Sequence, residues 1–112
     1  MFGSKKEKYA KMVAKNQWDK LAKDVQGNDP QKKLWIAQAC ANSNDDGSFN
    51  ALSILIRDSD EQVQKEAIRS LGVMGNDHAT AELQWILTKI PEDRKETIEI
   101  AHDALRKVRE RK

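Results

Sequence analysis

Residues 52–75, LSILIRDSDEQVQKEAIRSLGVMG, decide the reading of the whole chain. Leu52, Leu55 and Ile56 recur three and four apart, so with Phe49 just upstream they share one face of a short helix. Asp58-Ser59-Asp60 ends that helix and starts another. Ser59 with Gln62, or Asp58 with Glu61, has the spacing of a reciprocal cap, and acids in a first turn suit the positive end of the helix dipole. Val63, Ala67, Leu71 and Met74 then form a second stripe, with Ile68 to its side. Gly75 supplies a left-handed stop, and Asn76 and Asp77 supply the next cap. The stretch therefore reads as two antiparallel helices joined by a tight acidic turn.

The same grammar extends both ways. Upstream, one long helix is expected over about 5–26, with Ala14, Trp18, Leu21, Ala22 and Val25 on its apolar face and Tyr9 and Val13 extending it. Gly27 stops it. Asn28-Asp29-Pro30 restarts the chain, because Asp29 can accept from free first-turn amides and Pro30 needs no donor there. The helix from Pro30 to Ala41 or Asn42 is apolar around most of its circumference, so it is expected to be covered on more than one side. Residues 42–48 form a polar loop. Downstream, a helix is expected over 79–90 on Leu83, Ile86, Leu87 and Ile90. Pro91 interrupts it, and a last helix covers 93–109 with Ile98, Ala101, Leu105 and Val108 inward. No stretch alternates apolar and polar residues over a strand length. The expectation is an all-α chain: one domain over 1–112, with six helices in three antiparallel hairpins at 5–42, 47–75 and 76–110.

The hairpins are related. Ala37, Ala67 and Ala101 hold equivalent places in the second helix of each, 30 and 34 residues apart, and each is followed four residues later by Ala41, Leu71 or Leu105. A small residue at a close crossing, with another contact a turn later, is what stacked helical repeats need, since each pair buries its apolar face only against its neighbours. On Leu52, Leu55, the 58–60 turn, Val63, Ala67, Leu71, Gly72 and Gly75, residues 52–75 resemble a HEAT repeat, especially the short bacterial type also found in bilin-lyase-related proteins. Residues 28–42 and 76–108 match the pattern more weakly. One departure is Gln64, where such repeats often carry Arg. The resemblance implies an alpha-alpha superhelix and a non-catalytic role in protein interaction or scaffolding. Chromophore handling of the bilin-lyase kind is the reading implied by the repeat subtype.

Composition narrows the function classes without naming one. The net charge is +2, and the mean hydropathy is −0.80. Charge is unevenly placed: seven Lys against three acids over 1–27, five bases against eight acids over 28–77, and eight against seven over 78–112. The lone cysteine, Cys40, cannot make an internal disulfide or a thiolate metal site, and a buried inert thiol is expected. His78 and His102 have no ligand-forming neighbours at a metal spacing, so no metal, cofactor or catalytic residue is expected. No apolar run approaches a signal core or a membrane span. A cytoplasmic location with no membrane partner is the default.

The candidate sites are therefore interaction surfaces. Gln62, Lys65 and Arg69 face away from the core stripe of their helix. With Gln31 or Gln38 and with His102 they would form a polar recognition strip, the alternative being an ordinary solvated face. Among Trp18, Trp35 and Trp85, core packing is the first expectation; Trp85 is the choice for a partner anchor because Leu83, Ile86 and Leu87 already fill the stripe. Lys5, Lys8, Lys11 and Lys15 would contact anions, including nucleic acid, without an accompanying Arg cluster or interleaved aromatics. An exposed apolar end of a three-repeat stack would allow homodimerisation.

Overall fold

The computed structural model describes residues 4–110. Seven helices follow one another: α1 (Lys5–Ala14), α2 (Trp18–Val25), α3 (Pro30–Cys40), α4 (Asp46–Leu55), α5 (Glu61–Met74), α6 (Asp77–Leu87) and α7 (Lys95–Glu110). No strand occurs among the described residues.

The seventh helix arises because the expected 5–26 helix is two. Asn16 takes φ 56°, the left-handed region that Asn tolerates better than other residues with a Cβ. The Asn16 amide donates to the Val13 carbonyl and the Gln17 amide to the Met12 carbonyl, a Schellman closure with Asn in the usual Gly place. The break resets the helical phase. Tyr9 and Val13 of α1 and Leu21 and Val25 of α2 all reach the core, whereas Ala14 and Ala22, expected inside, are exposed.

Helices α1, α3, α5 and α7 pack in succession as one layer. Helices α2, α4 and α6 lie on them as a second, with α2 against α3, α4 against α5 and α6 against α7. The repeating pairs are thus α2–α3, α4–α5 and α6–α7, and α1 flanks α3 as an additional helix of the first layer. The core between the layers is built by Leu21, Ile36, Leu52, Leu55, Ile56, Ile68, Leu71 and Leu83, all without solvent exposure. Ala37, Ala67 and Ala101 are likewise fully buried. Another close crossing joins α5 to α7. A Cβ on Gly72 of α5 would lie 2.8 Å from the Cα and Cβ of Ala104 on α7, so only glycine lets these backbones approach.

Capping follows the sequence with one correction. Asp29 accepts from the amides of Gln31 and Lys32, Asp45 from Ser48 and Asn76 from Ala79, and Gly75 closes α5 at φ 64°. The cap of α5 is Asp60, which accepts from the Val63 amide, rather than Ser59 or Asp58. Asp58 instead fastens the turn to α3, because its carboxylate accepts from the Asp60 amide and from Lys33 Nζ at 2.6 Å. Gln64 is also explained. Buried after Val63, it donates from Nε2 to the Ile56 carbonyl and accepts from Arg94 on the approach to α7.

Candidate functional site

The structure divides the expected polar strip. Gln62 and Arg69 are exposed on α5, and His102 is exposed on α7. Lys65, expected beside them, is buried: its Nζ lies 2.9 Å from Glu96 on α7 and 3.3 Å from Glu61 one turn back. The hydrogen bond it donates to Glu96 holds this ammonium above its ordinary pKa, and the same contact holds the Glu96 carboxyl below its own. Lys65 therefore joins α5 to α7. The sequence placed it outward because Val63, Ala67 and Leu71 already satisfy one face, but a helix covered by α3 on one flank and α7 on the other buries more than one stripe. Arg69 lies 3.7 Å from Glu66 and lines a small depression with Ile100, Asp103 and Lys107. Gln38 is half-buried elsewhere, in a groove between α1 and α3 beside Lys6, Ala10 and Trp35.

A more organised surface lies on the second layer, between α4 and α6. Trp85 projects from α6 with 37% of its surface exposed. The Arg57 guanidinium, at the end of α4, stacks 4.1 Å from the Trp85 ring centroid, and Lys89 approaches the same ring at 5.8 Å. Arg57 is itself fixed, since Nη1 donates to the Ser53 carbonyl and Nη2 lies 3.5 Å from Glu82. Phe49 packs against the exposed His78 ring at 5.5 Å, and with Ala81 these residues line a groove of about 400 Å³. Trp85 was legible as a candidate. Arg57, Phe49 and His78 were not, because they meet Trp85 and one another only through the stacking of α4 on the following pair.

The other two tryptophans are partly buried. Trp35 stacks on Tyr9 at 6.0 Å, and Trp18 lies over Gly47, where a Cβ would come within 2.2 Å of its Nε1. Cys40 is fully buried, and burial pushes its thiol up to about 12, far from a thiolate nucleophile at neutral pH. Among the described residues no cluster of His, Cys, Asp and Glu could hold a metal ion, and no helix is long and apolar enough to cross a membrane. Large exposed apolar side chains are confined to Ile54, Val73 and Trp85 among the described residues.

Two layers of antiparallel helix pairs stacked in sequence define an α-solenoid. The family model described as HEAT repeats matches residues 19–106, from the start of α2 to near the end of α7, and the chain belongs to the HEAT-repeat family. The match begins after α1, in keeping with α1 lying outside the three repeating pairs. No curated protein and no solved structure matches the chain significantly. HEAT repeats generally mediate protein–protein interaction or scaffolding.

Proposed function

We propose that this protein is a non-catalytic protein-interaction module that docks its partner on the α4–α6 face, with Trp85 as the anchor. The observation that carries this reading is the partly exposed Trp85 indole with the Arg57 guanidinium stacked on its ring and Lys89 near it. An aromatic ring held in place loses little freedom on binding and buries a large area, which is the profile of an interface hot spot. Tryptophan and arginine are the side chains most enriched at such centres. Glu82 and Ser53 fix the guanidinium, so the surface is organised before a partner arrives. Gln62 and Arg69, with Lys65 withdrawn into the α5–α7 contact, form a weaker candidate that lacks an aromatic anchor.

The test is affinity capture from native lysate with three baits: the parent chain, Trp85→Ala, and the double change Gln62→Ala and Arg69→Ala. A protein retained by the parent and by the double variant, and lost at least tenfold by Trp85→Ala at unchanged helicity, supports the α4–α6 face. A protein lost only by the double variant moves the interface to the first layer. Equal retention by all three rejects both surfaces.

A further inference from the structure

The cations of α3 and α5 are engaged, as are Arg94, just before α7, and Arg106 within it. Lys33 is held by Asp58, Lys65 by Glu61 and Glu96, Arg94 by Glu61 and Arg106 by Asp103. The lysines around the break at Asn16 contrast with them. Lys8, Lys11, Lys15 and Lys20 line one groove of about 680 Å³ between α1 and α2. All four are exposed, and none has a carboxylate within ion-pair distance among the described residues. The groove has two carboxylates. Asp24 already accepts from the Tyr9 hydroxyl at 2.6 Å and lies 3.8 Å from Lys32, which leaves Glu7 against four ammonium groups.

The left-handed turn creates this concentration. In an unbroken helix Lys20 would continue along the rod; the turn at Asn16 brings it across the groove from the α1 lysines. Lys8, Lys11 and Lys15 stand three and four residues apart, on one face, over about 10 Å at 1.5 Å per residue. A nucleic-acid strand offers one phosphate per about 3.4 Å of axis, so several successive phosphates fall within that reach.

We infer that the α1–α2 groove binds the phosphate backbone of nucleic acid without sequence preference, on helices separate from the α4–α6 face. The lining favours this ligand over an acidic protein segment. Met12 is its one large apolar side chain, so a protein partner would find no anchor of the kind that carries protein interfaces. No Arg and no aromatic ring lines it either, which removes base-edge reading and base stacking. Unpaired lysines alone suffice for a polyanion whose binding is driven by counterion release.

The test uses the full chain and a fluorescein-labelled DNA duplex of about 20 base pairs, with anisotropy titrations between about 50 and about 200 mM KCl. Four phosphate contacts predict a slope of log K on log salt near −3.6, and thus a loss of about 150-fold over that range. Changing Lys11, Lys15 and Lys20 to Gln leaves Lys8 alone and predicts a slope near −0.9, a loss of about threefold. Lys23, Lys95 and Lys107 lie outside the groove lining, and changing them to Gln removes the same charge; that variant should keep the parent's slope. Circular dichroism of each variant checks that the fold is intact. Absence of binding by the parent at the lowest salt, an unchanged slope in the groove variant, or tighter binding to polyglutamate or to phosphatidylserine vesicles than to the duplex overturns the inference.

Discussion

Gly72→Ala is expected to destabilise the protein even though alanine is the better helix former. A new Cβ would sit 2.8 Å from Ala104 Cα and Cβ, against about 3.5–4.0 Å for comfortable carbon contact, so α5 and α7 must separate by roughly 1 Å. Overpacking of this size costs about 1–3 kcal/mol. The intrinsic gain of Ala over Gly in a helix interior returns about 1 kcal/mol. The net loss is up to about 2 kcal/mol, and at roughly 4 °C per kcal/mol for a chain of this size the melting midpoint should fall by up to about 8 °C. The assay is thermal and urea unfolding followed by circular dichroism at 222 nm. A double-mutant cycle with Ala104→Gly adds a sharper test: removing one of the two clashing carbons should restore part of the loss, with a coupling of about 1 kcal/mol. A Gly72→Ala variant that melts clearly above the parent, by the full helix-propensity gain, would refute the close α5–α7 crossing.

Two further measurements probe buried groups. The one tyrosine, Tyr9, is raised from 10.0 to about 12, first by burial and then by its hydrogen bond to Asp24, so absorbance at 295 nm should titrate near 12 in the folded protein. Because the folded value lies above the unfolded one, Tyr9 contributes stability that is whole below pH 10 and declines as pH rises toward 12; Asp24→Asn should bring the midpoint down, with burial still holding it above 10. A parent midpoint at 10 would show the hydroxyl to be solvated. Cys40 should resist a thiol-reactive disulfide reagent at pH 8 until denaturant unfolds the chain, and rapid labelling of native protein would contradict its burial.

The fold was legible where a residue type admits one local solution. Asp29-Pro30 and Gly75 each marked a boundary that the structure keeps, because a capping carboxylate, a missing amide donor and a left-handed backbone are local requirements. Asn16 failed as a signal for the same physical reason in weaker form. Asn adopts the left-handed conformation at less cost than most residues but also occurs within helices, so its sequence neighbourhood does not decide between them. What decides is packing: α1, with Tyr9 and Val13 buried, and α2, with Leu21 and Val25 buried, both lie against α3, and α2 also meets α4.

The sites were less legible because exposure in a stacked array depends on the neighbouring repeat. Lys65 and Arg69 stand one turn apart on the same helix, yet Glu96 of α7 draws the first inward and leaves the second in solvent. Arg57 and Trp85 are 28 residues apart and belong to successive pairs; only the offset between α4 and α6 puts a guanidinium over the indole. The lysines of 5–15 were visible as a charge run, but Lys20 joined them only through the turn at Asn16. Local chemistry thus specifies where helices start and stop, whereas the surfaces a partner would meet are set by the spacing between pairs. Gly72 sets part of that spacing at the α5–α7 crossing. The Gly72→Ala variant therefore tests the Lys65–Glu96 contact as well as the core: if α7 moves out, Lys65 loses Glu96 and its ammonium becomes more exposed.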